Sequence, residues 1–513
     1  MNDYLAAIDA GTGGVRCVIF DVKGNVVSQD YRETLTMYTP AGHAEQDPVQ
    51  LVEAALNAVR GAIVKGNVDA VRIVGITTTG TQTTFAAVDR QGNFLTNIIL
   101  WQDMRGIEMF PWIRQRLAEH GMTEAELYRR TFRPLNALSA GAKLLWLCKH
   151  EPALYGDIHK LVNPQAILLR ALGAEEVTID PTDGGWWLSH DSATLEIDPE
   201  LVEVFDLNTD FFPRFCAPGE QVGRITPDIA ERTGLKAGTP IYQGAVDQCC
   251  AALGAGNYGS PETGTMCMGT AGVIMTYSDV PVLDPLGRYP VIRLPCGGYV
   301  SEIGVRVAAS AFRWVRDMLY PSEDLNRNDI YQRMDIEAAG IPIGSNGVCF
   351  LPLMAGSAYP KADESIRGGW IGTSLSTKRP ALVRAALEGI CYEMRQVLEE
   401  SGQKFASIRL LGGATRSELW NQMQADVYGC PVETIASQEA SALGAVMIAA
   451  CGAGLYPSLK DAVCGMTHIK HRYLPNPDNV VRYRESYEAW QSCVEDLGNR
   501  AFPALAKVRN GGV

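Results

Sequence analysis

Two hydrophobic patterns alternate along the whole chain. Short apolar or β-branched runs, typical of buried strands, stand at residues 4–8, 15–20, 71–77, 85–88 and 408–411. Longer stretches with apolar residues at helical spacing stand at residues 48–65, 380–400, 417–428 and 440–451. Because strands alternate with helices in both halves, the pattern predicts an α/β fold with two layered domains.

One short glycine-rich pattern occurs twice, about half the chain apart. Gly11-Thr12-Gly13-Gly14-Val15 follows the first strand, and Gly269-Thr270-Ala271-Gly272-Val273 follows a similar run in the middle of the chain. In each copy an aspartate, Asp21 or Asp279, stands six residues after the valine. Each copy predicts a strand, a tight glycine turn and a return strand, so the chain contains an internal repeat.

The segment at residues 254–261 is the predicted boundary between the repeats. It is rich in Gly, Asn, Ser and Pro, and we place the domains at residues 1–255 and 256–513. Its glycines also fit the dinucleotide pattern G-x-G-x-x-G, but they follow an Ala-rich run rather than a strand. A linker is therefore favoured over a nicotinamide-binding loop.

Composition narrows the class of protein. The 513 residues are 46% hydrophobic with a net charge of -13, which indicates a globular chain and argues against nucleic-acid binding. Thirteen cysteines without a CxxC pair suit a reducing compartment, and the reactivity of Cys249 and Cys250 stays open. The acidic, glycine-interrupted N-terminus does not resemble a signal peptide, and the apolar stretch at 442–455 suits a buried helix rather than a membrane span. We expect a cytoplasmic protein with no membrane partner.

The paired glycine turns are candidate phosphate-binding loops. Glycine lets backbone amides approach a phosphate, although either turn alone could be an ordinary hairpin. Asp9 stands just before the first turn, at the predicted end of its strand, and would hold a magnesium ion beside the phosphate. Its counterpart in the second copy is Cys267, so only the first turn would serve a metal.

Asp247 is the candidate general base. It lies in the stretch 241–248 beside the domain boundary, where a strand delivers it and a small-residue helix, 249–253, is predicted to begin just after it. A helix N-cap is the alternative role, with a stabilisation of about 1 kcal/mol.

Two further motifs could bind small molecules. Trp101-Gln102-Asp103-Met104-Arg105 could stack on a sugar and bind its hydroxyls, or form a core tryptophan beside a surface ion pair. Leu411-Gly412-Gly413-Ala414-Thr415 could admit an adenine ring or serve helix packing. His468 and His471 lack further ligands nearby, so the histidines predict no metal site.

Together these motifs resemble the FGGY family of carbohydrate kinases over the whole chain. The similarity is carried by the first glycine turn with Asp9 and Arg16, by Glu45-Gln46-Asp47-Pro48, by the Trp101–Arg105 motif, by Gly244-Ala245-Val246-Asp247-Gln248, and by the segments around Gly413 and 439–445. It implies two ribonuclease-H-like domains of the actin-like ATPase superfamily with a central cleft.

The resemblance also implies a reaction and residue roles. Mg-ATP would phosphorylate a terminal hydroxyl of a small sugar or polyol, with Asp247 as the catalytic base and Asp9 and Asp247 near the metal. The implied phosphate and nucleotide contacts are Gly11, Thr12, Gly13, Arg16, Gly269, Thr270, Gly412, Gly413 and Ala414. The implied sugar contacts are Thr81, Gln82, Trp101, Gln102, Asp103, Asp247 and Gln248.

The identity of the sugar is less constrained. The family's xylulose kinases carry Gln-Met-His and its glycerol kinases Arg-Glu in the loop where this chain has Thr81-Gln82-Thr83. The stretches 136–140 and 143–147 look more like the xylulose and autoinducer kinases, which favours a pentulose or a related ketose or polyol. The rivals are a glycerol kinase, an actin-like ATPase without a sugar site and a regulator that has lost catalysis. The oligomeric state stays open, with a homodimer as one arrangement.

Overall fold

The structure is a computed structural model that describes residues 3–294, 297–321, 329–359 and 362–509. Most strands are short, and the longest belong to the two glycine hairpins and their neighbours. The strands are β1 (Tyr4–Gly11), β2 (Gly14–Asp21), β3 (Val26–Glu33), β4 (Met37–Tyr38), β5 (Ala44–Gln46), β6 (Ile73–Gly80), β7 (Ala86–Val88), β8 (Ile98–Ile99), β9 (Lys160–Val162), β10 (Thr178–Ile179), β11 (His190–Asp191), β12 (Glu196–Ile197), β13 (Arg214–Phe215), β14 (Gln221–Arg224), β15 (Pro240–Tyr242), β16 (Thr263–Met268), β17 (Gly272–Ser278), β18 (Val291–Arg293), β19 (Tyr299–Val305), β20 (Cys349–Leu351), β21 (Gly369–Ile371), β22 (Ser407–Leu411), β23 (Val432–Ile435) and β24 (Ile469–Tyr473).

The α-helices alternate with these strands. They are α1 (Pro48–Lys65), α2 (Phe110–Glu119), α3 (Glu124–Thr131), α4 (Ala140–His150), α5 (Pro152–Asp157), α6 (Pro164–Leu172), α7 (Pro199–Phe205), α8 (Pro227–Thr233), α9 (Asp247–Gly254), α10 (Ala309–Leu319), α11 (Asp329–Ala339), α12 (Arg379–Glu400), α13 (Glu418–Tyr428), α14 (Ala440–Gly452), α15 (Leu459–Met466), α16 (Pro477–Asp496) and α17 (Phe502–Arg509). Short 3₁₀ turns include Arg105–Met109, Pro181–Trp187 and Gly413–Arg416.

The chain divides into two compact units. The first comprises the chain up to Gly259 together with Tyr277–Ser301 and Glu439–His468, and the second comprises the remaining segments. The chain first leaves unit 1 a few residues after the predicted boundary at 255/256, and two later segments return to it. Domain limits at 1–255 and 256–513 stay a prediction.

Unit 1 is built on a six-stranded mixed sheet in the order β14-β15-β6-β1-β2-β3. Strands β1, β2 and β3 are antiparallel neighbours, whereas β6 runs parallel to both β1 and β15. Its core joins the apolar face of the sheet to α1 and α6, and a second cluster gathers around Phe85, Trp186 and Phe205. Helix α1 begins where predicted because Asp47 caps the amides of Val49 and Gln50 and a proline follows at the first helical position.

Unit 2 repeats this arrangement. Strands β17 and β16 form the second glycine hairpin, β16 runs parallel to β22, β22 parallel to β23, and β24 closes the edge antiparallel. The strand–turn–strand repeat inferred from the sequence is therefore confirmed in both hairpins.

Helices α9 and α14 of unit 1 touch through glycines. A Cβ on Gly254 would lie 2.0 Å from the carbonyl oxygen of Ala440, and one on Gly444 would lie 1.9 Å from that of Cys250. The interpretation of residues 254–261 as a simple linker is wrong for its first part, because Gly254, Ala255 and Asn257 are buried. Gly254 and Gly444 instead let helices α9 and α14, which both begin beside the candidate site, pack closely.

No helix among the described residues is both long enough and apolar enough to cross a membrane. The apolar stretch at 442–455 lies largely in α14, whose residues from Ala442 to Ala450 are buried. The sequence interpretation of this stretch as a buried helix is confirmed.

Candidate functional site

The first glycine hairpin is held by side chains from neighbouring segments. Gly11 pairs with Gly14 across the turn, and the carbonyl oxygen of Thr12 accepts a 2.6 Å hydrogen bond from Gln46 Nε2. The hydroxyl of Tyr31 donates to the carbonyl oxygen of Gly13 at 2.6 Å. A Cβ on Gly14 would lie 2.3 Å from a backbone oxygen of β3, so only glycine fits there. These bonds fix the turn before any ligand arrives, which suits a phosphate-binding loop.

Asp9 lies inside β1 rather than at its end, which corrects the predicted position. It pairs with Arg16 on one neighbouring strand and with Thr79 on the other. Burial, with the nearby Glu439 carboxylate as a smaller cause, raises the pKa of Asp9 to about 7, while Arg16 acts in the opposite direction. A cation beside this carboxyl would favour its ionised form.

These residues fit a magnesium ion held mainly by water and phosphate oxygens. Among the described residues, no cluster of three or more His, Cys, Asp or Glu side chains could hold a metal. Mg²⁺ commonly takes only one or two protein carboxylates beside nucleotide phosphates, so Asp9 alone satisfies that requirement.

Arg16 connects this hairpin to the start of α14. Its guanidinium forms an ion pair with Glu439 and lies 5.4 Å from the centroid of the Tyr31 ring. The Arg16 side chain is 35% exposed, so part of it faces solvent. An incoming phosphate could therefore compete with Glu439 for the guanidinium.

Asp247 is the first residue of α9, so the N-cap role considered for it is wrong. The N-cap is Val246, and the Asp247 carboxylate accepts the amide hydrogen of Gln248 at 2.8 Å. Both side chains are partly exposed. The preceding backbone is bound to β6, because Thr79 Oγ1 donates to the carbonyl oxygen of Ala245 at 2.8 Å.

Asp9 and Asp247 therefore lie at the same edge of the sheet in unit 1. Strand β6 lies between their two strands, with Thr79 beside Asp9 and Gly80 bridged to Val246. The close approach requires Gly244, since a Cβ there would lie 1.8 Å from the carbonyl oxygen of Thr78. The register of the sheet accounts for this arrangement, whereas a common metal for the two residues is implied by the family resemblance and stays a prediction.

The loop after β6 carries Thr81, Gln82 and Thr83 to this edge. The Thr81 amide donates to the carbonyl oxygen of Ala10 at 3.2 Å, which ties the loop to β1. Thr83 adopts a left-handed conformation with φ of 57°, which is unfavourable for a β-branched residue. Gln82 lies between Thr81 and Thr83 and is half-buried.

The Trp101–Arg105 motif divides into an accessible part and a buried part. Trp101 is 36% exposed and donates from Nε1 to Thr12 Oγ1 at 2.8 Å, so it lies beside the glycine hairpin and is not a core anchor. Gln102 is half-buried and accepts a hydrogen bond from the Tyr38 hydroxyl at 2.9 Å.

Asp103 has no exposed surface and binds Arg105 through both carboxylate oxygens. Arg105 also contacts Glu45, and the Ala44 amide donates to Asp103 at 2.7 Å. The surface ion pair considered in the sequence is thus a buried one. These contacts favour a positioning role for Asp103, and its direct contact with a sugar stays a prediction.

Two buried residues of this region were not singled out from the sequence. Asp183 receives the amide hydrogen of Thr83 at 3.0 Å, and burial raises the pKa of Asp183 to about 6. Lys143 is buried beneath the Trp101 motif. The stretch that it begins, residues 143–147, was used only as a family likeness, because nothing in the local pattern shows that the Lys143 side chain points inward.

Unit 2 carries the remaining candidate contacts at the ends of two adjacent parallel strands. The carbonyl oxygen of Thr270 accepts the Ala308 amide at 2.9 Å and the Ser310 hydroxyl at 2.6 Å, which fixes the second glycine turn. Gly269 precedes it directly after β16.

The two glycines after β22 differ in their surroundings, since Gly412 is closely packed and Gly413 is open. Gly412 has φ of +90°, and its Cβ would lie 2.7 Å from the carbonyl oxygen of Met268. At Gly413 a Cβ would meet no atom of the described residues within 4 Å, and Ala414 is partly exposed. A flat, accessible backbone of this kind suits an aromatic base.

The fold and these motifs define a carbohydrate kinase. The model of the FGGY family of carbohydrate kinases, N-terminal domain, matches residues 4–254, and that of the C-terminal domain matches residues 264–453. The chain belongs to the FGGY family of carbohydrate kinases and is a phosphotransferase with an alcohol group as acceptor. Kinases of this family use ATP.

Relatives with three different names match at similar levels. The xylulose kinase of Bacillus subtilis (strain 168) is 26% identical over 497 residues, with 95% of this chain and 96% of the relative covered. The gluconokinase of the same organism is 28% identical over 493 residues, with 94% of both chains covered. The autoinducer-2 kinase of Yersinia pestis bv. Antiqua (strain Angola) is 28% identical over 513 residues, with coverages of 96% and 94%.

Solved structures agree with this fold. A ligand-bound xylulose kinase from Lactobacillus acidophilus superposes with a TM-score of 0.86 at 23% identity, with 97% of this chain and 99% of that chain covered. Xylulose kinase from Rhodospirillum rubrum gives a TM-score of 0.82 at 26% identity, with coverages of 97% and 99%.

Proposed function

We propose that this kinase transfers the γ-phosphoryl group of ATP to a terminal hydroxyl of a small neutral sugar, most simply a pentulose such as xylulose or a related ketose or polyol. The observation that carries the proposal is the set of accessible groups at one edge of the unit 1 sheet. Asp247, Gln82, Trp101 and Gln102 offer a base, two amides and an aromatic face next to the glycine hairpin. Aromatic faces and amides suit a polyhydroxy compound better than an anion.

The proposed roles follow from the contacts described above. Asp247 accepts the proton of the attacking hydroxyl, which contributes roughly 10²–10⁴-fold to the rate. In unit 1 the proposed phosphate contacts are Gly11, Thr12, Gly13 and Arg16, and in unit 2 they are Gly269 and Thr270. Gly412, Gly413 and Ala414 bind the adenine. Thr81, Gln82, Trp101, Gln102 and Gln248 bind the sugar.

Asp9 and Asp247 would hold a magnesium ion, in part through water. Magnesium bound there would neutralise charge on the phosphates during transfer. Asp9 is suited to this task because it lies in β1, two residues before the turn that would carry the phosphates begins at Gly11, and is partly exposed. We also propose that both domains are ribonuclease-H-like and belong to the actin-like ATPase superfamily.

A five-carbon autoinducer-type substrate is the second candidate. It is favoured by the autoinducer-2 kinase relatives, whose identity to this chain equals that of the gluconokinase. Both candidates are small polyhydroxy compounds that accept the phosphoryl group on a terminal hydroxyl, so the proposed site residues are the same.

The test is a coupled ADP-release assay with Mg-ATP and a panel of pentuloses, hexuloses, polyols, gluconate and glycerol. We expect one five-carbon ketose or polyol to stimulate ADP release most strongly. Stimulation by glycerol or gluconate alone would overturn the proposed substrate class. ADP release that ignores every compound would point to an ATPase without a sugar substrate.

A further inference from the structure

Lys143 is a fully buried lysine that none of the proposed catalytic contacts uses. It lies in α4 with no exposed surface and is among the largest wholly buried side chains of the described residues. Taking an ammonium group out of water is costly unless protein acceptors replace the lost hydration. The position of these acceptors therefore indicates what Lys143 does.

The three acceptors belong to the two loops that carry the proposed sugar contacts. Lys143 Nζ donates to the carbonyl oxygens of Leu100 at 2.9 Å, Trp101 at 3.2 Å and Thr83 at 3.4 Å. The first acceptor directly precedes Trp101, the second is the backbone of Trp101 itself, and the third belongs to the residue after Gln82. An ammonium group has three donors, so all of them are used to connect these loops.

The loop that carries Gln82 needs such support. Thr83 has a left-handed backbone, which is strained for a β-branched residue. Asp183 holds the Thr83 amide while Lys143 holds its carbonyl, so the strained residue is bound from both sides. A second bond joins the loops directly, from the Trp101 amide to Thr84 Oγ1 at 3.1 Å.

Buried charges surround the ammonium group. Burial lowers the pKa of Lys143 to about 7; the carboxylates of Asp103 and Asp183 act against this shift, and Arg105 adds to it. A methionine of similar length would fill the same space without this electrostatic cost. The role of Lys143 is therefore to donate hydrogen bonds to particular carbonyl oxygens rather than to fill the core.

We propose that Lys143 is a positioning residue of the phosphoryl-transfer reaction, which fixes the Trp101 loop against the Gln82 loop so that both meet the same sugar. The inference rests on the proposed function of this site. It predicts that the loss of the ammonium group weakens sugar binding while nucleotide binding through the glycine turns persists.

The test replaces Lys143 by methionine and measures both Michaelis constants with the best substrate of the panel. Loss of buried, charge-assisted hydrogen bonds corresponds to about a 10- to 100-fold rise in KM for the sugar. The KM for ATP should stay within about twofold. Lys160→Met is the matched control, since Lys160 Nζ also donates to two carbonyl oxygens, of Asp210 at 2.7 Å and Phe212 at 3.1 Å, but is partly exposed and holds neither sugar loop.

A double-mutant cycle with Trp101→Phe separates positioning from general stability. If Lys143 acts through Trp101, the effects of Lys143→Met and Trp101→Phe on the sugar KM will be clearly less than additive. Lys143→Gln keeps a donor group and should give an intermediate KM. It is also the variant to assay should the methionine variant fail to fold.

Three results would overturn the inference. One is an unchanged sugar KM in active Lys143→Met, and another is an equal rise in the two Michaelis constants. The third is that both the methionine and glutamine variants fail to fold, which would assign Lys143 to the core. A wild-type enzyme that no sugar stimulates would instead refute the proposed function.

Discussion

A buried glutamate in unit 2 gives a pH-dependent stability that can be worked out from the structure. Glu393 lies in α12, is 5% exposed, and its Oε2 has no hydrogen-bond partner among the described residues. Burial raises the pKa of Glu393 from 4.5 to about 8. The folded protein therefore keeps this proton up to about pH 8, whereas the unfolded chain releases it above pH 4.5.

The sign of the effect follows from proton linkage. Between these two pKa values the unfolded state binds fewer protons, so the free energy of unfolding falls as pH rises. The full difference in pKa corresponds to a loss of at most about 5 kcal/mol, with local relaxation reducing it. Replacement of Glu393 by glutamine keeps the shape and removes the titration, so the variant should gain stability over wild type as pH rises.

The assay is urea unfolding of wild type and Glu393→Gln at about pH 5 and about pH 8.5, which lie near the two ends of the linkage range. We expect nearly equal midpoints at the lower pH and a higher midpoint for the variant at the upper pH. Glu399→Gln, at an exposed position of the same helix, should show no such growing gain. A difference between Glu393→Gln and wild type that is the same at both pH values would refute the reasoning.

Two further predictions concern the proposed catalytic edge. Gly244→Ala should lower the unfolding temperature by several degrees and reduce activity, because its Cβ would lie 1.8 Å from the Thr78 carbonyl oxygen. Gly156→Ala, which meets no described atom, should behave as wild type, and equal melting of the two variants would contradict the packing argument. Arg16→Ala should raise the KM for ATP more than that for the sugar, since the loss of one charge-assisted bond costs about tenfold in affinity. Equal Michaelis constants in Arg16→Ala and wild type would remove Arg16 from the phosphate contacts.

The elements beside the site could be predicted because their signals are local. The glycine hairpins and helix α1 show strong periodicity, a capping aspartate and turn residues at fixed offsets. The placement of Asp247 at a strand-to-helix junction was also visible in the sequence. The alternative role as an N-cap was wrong by one residue, because Asp247 is the first residue of the helix and Val246 is its N-cap.

The supporting residues could not be predicted because their contacts join distant segments. Asp183 binds Thr83 across 100 residues, and Lys143 reaches Leu100 across 43. Local spacing in α4 does not distinguish a lysine that faces solvent from one that faces the core. The burial of the Asp103–Arg105 pair was likewise hidden, since the two residues are polar neighbours in a loop.

The most direct test of the central claim is the single-turnover rate of phosphoryl transfer in Asp247→Asn, compared with sugar binding by the same variant. We expect phosphoryl transfer by Asp247→Asn to be slower by roughly 10²–10⁴-fold with the sugar still bound, because a general base has been removed. Near wild-type transfer by Asp247→Asn would contradict the central claim, because another group would then have to accept the hydroxyl proton.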